Sequence, residues 1–171
     1  MNVKKLYDRG VERYPLGWII GQNIFFVVYF AIGFMGMIPL QIHGFPVISV
    51  LYAIFLFIML IFVLRKHLCT SCYYYGKLCS TGWGKLSALM FSKDSGNYQL
   101  GAKLAGITWM LATFIPIIGI VIVLLIDYSL SNLVLLILFI LLTPINFVSH
   151  RKACERCKMK LTCPASMVKS N

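Results

Sequence analysis

The sequence predicts an all-α integral membrane protein: four transmembrane helices arranged as two parallel two-helix repeats, with cytosolic Cys-rich segments. Four observations predict it. Of the 171 residues, 60% are hydrophobic and only 12% charged. The apolar residues gather in four runs of about 20, the length a helix needs to cross roughly 30 Å of hydrocarbon. All 16 Lys and Arg residues lie on one side of those runs, the side that the positive-inside rule makes cytoplasmic. Finally, Cys69 and Cys154 stand 85 positions apart, as do Cys72 and Cys157, at half the length of the chain.

The elements follow in order. Residues 1–16 form a cytosolic amphipathic N-terminus in which Lys4, Lys5, Arg9 and Arg13 alternate with Asp8 and Glu12. The apolar run after Gly17 is longer than the core of a signal peptide and lacks a small-residue cleavage site, so it reads as a retained first helix, 17–39. A turn carrying Gly44 and Pro46 leads into a second helix, 46–64. A hydrophilic segment, 65–103, follows. In it, Arg65 and Lys66 anchor the helix end, and Tyr73, Tyr74 and Tyr75 suit a membrane interface. Residues 82–84 read as a turn carrying Trp83, 85–91 as a short helix on the membrane surface, and 92–97 as a loop. A third helix spans 104–126, a turn 127–131 and a fourth helix 131–149, before a basic tail, 150–171.

The offset of 85 also pairs Lys66 with Arg151 and Phe62-Val63 with Phe147-Val148, whereas Cys79 and Cys163 lie 84 apart. The chain divides accordingly into repeat unit one (17–83), an interfacial linker (84–103) and repeat unit two (104–171). Both units start inside, cross out and return. Parallel repeats relate by an axis along the membrane normal, which brings both cysteine segments to one face. The expected protein is a multi-pass component of the cell membrane with both termini cytoplasmic.

Cytosolic thiols stay reduced, so a cysteine framework there points to metal before disulfide. The spacings are C-x2-C-x6-C and C-x2-C-x5-C. A C-x2-C turn aims two thiolates at one ion, and two such turns make a tetrahedral site. The candidate ligands are Cys69, Cys72, Cys79, Cys154, Cys157 and Cys163, with His67 and His150 as further candidates; the cofactor is zinc or an iron–sulfur cluster. Three schemes stay open: Cys69, Cys72, Cys154 and Cys157 sharing one ion; each unit using three cysteines plus its histidine; or the thiolates holding a cluster. Cys163-Pro164 is similar to the end of a bacterial ferredoxin motif, but five residues precede that cysteine where the motif has three, and nothing is carried over.

The basic residues near the cysteines (Arg65, Lys66, Lys77, Arg151, Lys152, Arg156, Lys158 and Lys160) have two readings. They offset the charge of a thiolate-bound metal, or they anchor helix ends to anionic lipid head groups, the simpler account. His43 falls in an external turn, as a surface residue.

Several classes are excluded. The net charge of +11 collects at helix ends, as topology demands, and implies no nucleic acid. No histidine lies inside a span, against a membrane bis-histidine haem. Neither knuckle is C-x-x-C-H, against c-type haem. No charged residue lies within the four runs, against a proton-coupled path. The polar residues there, Gln22, Asn23, Thr108, Thr113, Asn132, Thr143 and Asn146, suit helix–helix hydrogen bonds; Pro116 and Pro144 mark kinks; and Gly17, Gly21, Gly33 and Gly36 suit close packing. No Ser/His/Asp set or phosphate-cradling glycine loop is present, and no reaction is named. Three functions fit: a scaffold or partner-binding membrane subunit carrying a Cys-ligated metal, a membrane-associated iron–sulfur electron carrier, or a soft-metal transporter or sensor. The expected partners are anionic lipid and a membrane or cytosolic subunit.

Overall fold

The structure, a computed structural model, describes residues 6–163 and 165–168. Lys4, Lys5, Pro164 and Lys169, which enter the sequence reading above, lie outside them. The described residues are all-helical, without β-strands, and four helices are long and apolar enough to cross a membrane. Helix α1 is Leu16–Met37. Helix α2 is Val47–Phe57 and runs on in wider, π-helical turns over Ile58–Val63 and Arg65–Cys69. Helix α3 is Trp83–Met90, α4 is Tyr98–Ile126 and α5 is Leu130–Glu155.

The helices outrun the apolar stretches that announce them. Asn97 caps α4 by accepting the Leu100 N–H at 3.0 Å, so α4 begins at Tyr98 and not at the expected 104. A side-chain oxygen at the N-cap satisfies a free amide wherever the chain turns, whether or not the next residues are apolar. Helices α2 and α5 likewise pass the expected ends at 64 and 149, reaching Cys69 and Glu155. Arg65, His67, Cys69, His150 and Cys154 therefore stand on helices and not in loops.

Helix α1 packs against α4 and α5, α4 against α5, and α2 against α1 and α4. Gly33 lies against Pro116 and Phe139, Gly36 against Ile120, and Gly119 against Met37. Gly17 and Gly21 face open space; close packing holds at Gly33 and Gly36 and not at these two positions.

Of the span residues expected to join helices, Thr113 and Thr143 do so, whereas Asn23 bonds Ile19 O and Thr81 O and Thr108 bonds Leu104 O of its own helix. The Tyr29 ring stacks on Phe139 with centroids 4.4 Å apart, and its hydroxyl meets Thr143 Oγ1 at 3.1 Å and Thr113 Oγ1 at 3.4 Å. Pro116 lacks the N–H that would bond the Ala112 carbonyl one turn back. Tyr52 of α2 supplies that donor, its hydroxyl 2.8 Å from Ala112 O. A backbone acceptor freed inside a bilayer has no water to turn to.

Candidate functional site

The cysteines gather at the end of the bundle where α2 and α5 finish. The two C-x2-C turns share one backbone pattern. Cys72 N–H donates to Cys69 O at 3.3 Å and Cys157 N–H to Cys154 O at 3.1 Å. The Tyr75 N–H bonds Cys72 O and the Lys77 N–H bonds Tyr74 O; Lys160 to Cys157 O and Thr162 to Met159 O repeat them 85 positions on. The second thiol of each turn accepts the amide two residues later: Tyr74 N–H on Cys72, and Met159 N–H on Cys157 Sγ at 3.4 Å. This places an N–H behind a sulfur, the support a metal-bound thiolate receives.

Past Lys77 and Thr162 the segments diverge. Gly82, in the left-handed region at φ 75°, opens α3, and the Gly84 N–H turns back to Cys79 Sγ at 3.4 Å. Thr81 Oγ1 sits 3.4 Å from the same sulfur. Cys163 instead hydrogen-bonds the Tyr98 hydroxyl at the start of α4.

The residues before α1 form a strap between the segments. The Tyr7 N–H donates to Lys158 O, the Val11 N–H to Arg156 O, and the Tyr14 N–H to Leu78 O. Gly10 is buried with its Cα against the Cys157–Lys158 peptide, where a Cβ would lie 2.7 Å from the Lys158 nitrogen. The Tyr14 hydroxyl donates to Ala153 O at 2.6 Å. Tyr74, 2% exposed, donates its hydroxyl to Val11 O at 2.6 Å and accepts the Lys158 N–H at 3.2 Å. Exposed Glu12 takes hydrogen bonds from the Tyr73 hydroxyl and from Lys158, 3.0 Å away. Tyr74 is therefore not the interfacial anchor its place in a tyrosine run predicts, because its hydroxyl has partners on both strap and tail.

Cys72, Cys79 and Cys157 pack on one buried cluster, Tyr14, Ile19, Tyr74 and Ala153. Burial pushes the Cys72 thiol up to about 12, against the Tyr74 N–H, while Cys157, Cys79 and Cys163 add to the rise. Burial pushes Cys157 up to about 11, with the Met159 N–H opposing it and Cys163 and Cys154 adding. Cys72 thus lies within electrostatic reach of Cys79 in its own segment and of Cys157 and Cys163 in the other. Cys69 and Cys154 sit on the helix ends, Cys69 within reach of Cys79 and Cys72 and Cys154 within reach of Cys157. All six cysteines are unbridged and half-buried. As the side chains stand, no three of the described His, Cys, Asp and Glu converge closely enough to hold an ion.

The histidines do not play equivalent parts. His67 Nδ1 accepts the Asn97 N–H at 3.0 Å and so fixes the entry to α4. His150, exposed, places Nε2 3.6 Å from Cys154 Sγ, one turn on. The residue 85 positions before His150 is Arg65, four before Cys69; the structural counterpart of His150 is Arg65, not His67. Sequence reading also missed the strap, Tyr14 and Tyr98. A signal for the strap was present in Tyr7, Gly10 and Tyr14, aromatic and small residues among the charges of a lead-in. Compared with protein families, curated proteins and solved structures, the chain matches no family model, no curated protein and no solved structure.

Proposed function

We propose that this is a multi-pass membrane protein whose cytoplasmic face is clasped by a thiolate-held metal, zinc or an iron–sulfur cluster, and that it serves as a scaffold or partner-binding membrane subunit. Both termini and both cysteine segments lie on that face, and the two halves are parallel repeats. The exposed Lys66, Lys85, Lys93, Arg151, Lys152 and Arg156 meet anionic head groups there.

The observation that carries this reading is the pair of C-x2-C turns with matching hydrogen bonds, each presenting an amide-supported thiol to the same buried cluster. Cys72, Cys79 and Cys157, which pack on that cluster, and Cys163 within reach of Cys72 are the favoured ligands. A cation takes the place of the protons that burial retains on Cys72 and Cys157, and binding draws the side chains inward, so loading and folding are coupled. The site then ties α2, α5 and the strap together, as a structural metal does.

Anaerobic purification from membranes, with elemental analysis and an absorption spectrum, tests this. Colourless protein with stoichiometric zinc supports the scaffold. Brown protein that bleaches on reduction replaces it with the electron carrier. Protein carrying neither metal, and taking up neither when offered, removes the reading. Orientation is tested by a membrane-impermeant thiol reagent on intact cells, which labels none of the six cysteines if they face the cytoplasm.

A further inference from the structure

Eight basic residues surround the cysteines in the sequence, and all read alike as lipid anchors. The structure separates one of them. Arg65 is 3% exposed and is the one buried Lys or Arg among the described residues. A lipid anchor extends its charged head to water or phosphate; this one turns inward.

Its surroundings are specific. The Leu60 carbonyl, in the widened turns of α2, accepts the Arg65 Nε–H at 3.0 Å. The guanidinium lies over the Trp83 ring, 5.1 Å from the centroid. The Ser87 hydroxyl bonds Arg65 O at 3.2 Å, pinning the backbone to α3. Gly84, next to Trp83, donates its N–H to Cys79 Sγ, so α3 holds Cys79 beside the guanidinium. Cys69 stands four residues on along the same helix, and both thiols are within electrostatic reach of the charge. Nη1 is buried and has no hydrogen-bond partner. A buried guanidinium with an unused N–H is costly unless it faces an anion. None of the described acidic residues forms an ion pair with it: Asp8 and Glu12 belong to the strap, Glu155 pairs with Arg151, Asp94 is exposed in the loop whose backbone meets Thr70, and Asp127 lies at the other end of α4.

We propose that Arg65 is the buried counter-charge of the cysteine site, its guanidinium facing Cys69 and Cys79 and its free N–H reserved for a sulfur that becomes anionic when the metal is held. Four thiolates around a divalent ion carry two net negative charges, and a fixed cation beside them lowers the cost of placing that charge at the membrane face. Arg65 is thus a positioning residue and not a ligand. His150 occupies the matching place beside Cys154, so each segment sets a nitrogen donor one turn before its first thiol. This inference rests on the metal reading of the site.

The test uses the full chain in lipid nanodiscs, with Zn2+ titrated against a chelator and Co2+ as the spectroscopic probe. Arg65→Gln should weaken Zn2+ binding about 10- to 100-fold and shift the thiolate-to-cobalt charge-transfer band. Arg65→Lys, which keeps the charge, should recover most of the affinity and the band. Lys66→Gln, altering an exposed neighbour, should change neither. Wild-type-like affinity and band in Arg65→Gln overturn the proposal while leaving the metal site intact. If Arg65→Gln does not fold, Arg65→Lys decides: wild-type-like binding supports the counter-charge, and loss equal to that of a cysteine variant overturns it. A wild-type chain that binds neither ion overturns the metal reading and this inference together.

Discussion

The first and second cysteine segments begin as the same object and end as different ones. Up to Lys77 and Thr162 three backbone hydrogen bonds recur in both, donated by Cys72, Tyr75 and Lys77 in one and by Cys157, Lys160 and Thr162 in the other. The first segment is then sealed by α3: Gly84 is driven into the carbonyls of Tyr74 and Lys77, and Arg65 is buried behind it. The second has no such helix. The strap lies on it from outside, Arg151 and Lys152 stay exposed on its helix, and Cys163 reaches Tyr98. The one-residue slip of the third cysteine follows: Cys79 meets an amide of α3 and Cys163 a hydroxyl of α4. A C-x2-C turn is thus a local unit set by its own hydrogen bonds, and the contacts of its third thiol are set by whatever packs over it.

That contrast breaks most readily at two close backbone contacts, one against each segment. A Cβ on Gly84 would fall on the carbonyls of Tyr74 and Lys77, neither of which can rotate away. Gly84→Ala should cost about 3 kcal/mol, seen as a lowered thermal midpoint in detergent. Gly10→Ala meets the Lys158 backbone at 2.7 Å, but the short strap can lift away. About 1–2 kcal/mol is expected, with faster proteolysis confined to the strap. An equal or larger loss for Gly10→Ala would mean that the strap, and not α3, is the main closure.

Next in size are the tyrosines that join the segments. Tyr74→Phe removes a hydroxyl serving both Val11 O and the Lys158 N–H and should cost about 2 kcal/mol. Tyr14→Phe removes the bond to Ala153 O and should cost about 1 kcal/mol. The same melting series measures both, and the reverse order would place the junction at α5.

How far the sequence disclosed this depends on which force writes each feature. Hydrophobic runs announce the four helices, because lipid demands them. They misplace the helix ends at 64, 104 and 149, because hydrogen bonding carries a helix past its apolar stretch until a cap such as Asn97 intervenes. The cysteine spacing located the knuckles. It could not distinguish Arg65 from Lys66: both are basic and adjacent, and only the wide turns of α2 decide which points inward. Tyr74 was hidden in a run of three tyrosines whose composition suits an interface, and its burial depends on a strap some 60 residues earlier, which periodicity does not record. Pairing His67 with His150 followed local motif; the offset of 85 pairs His150 with Arg65.

The smallest effect belongs to the exposed rim. Hydrogen bonds from Tyr73 and Lys158 hold the Glu12 carboxyl below the ordinary range. A depressed carboxylate contributes stability that is present above its unfolded value, about pH 4.3, and lost as pH falls through its folded value. Protection of the Tyr7 and Val11 amides, taken against their intrinsic exchange rates, should therefore fall below about pH 4 in the wild type. In Glu12→Gln that acid step should vanish, with metal content unchanged. An unchanged acid step would place its origin elsewhere.

The central claim is that both segments serve one metal site. Metal per chain in Cys72→Ser and Cys157→Ser, purified anaerobically beside the wild type, tests it most directly. The two cysteines are equivalent in their turns and share one packed cluster, so both variants should lose the metal to the same extent. Metal retained by one variant and lost by the other, or a wild type that binds none, would contradict it.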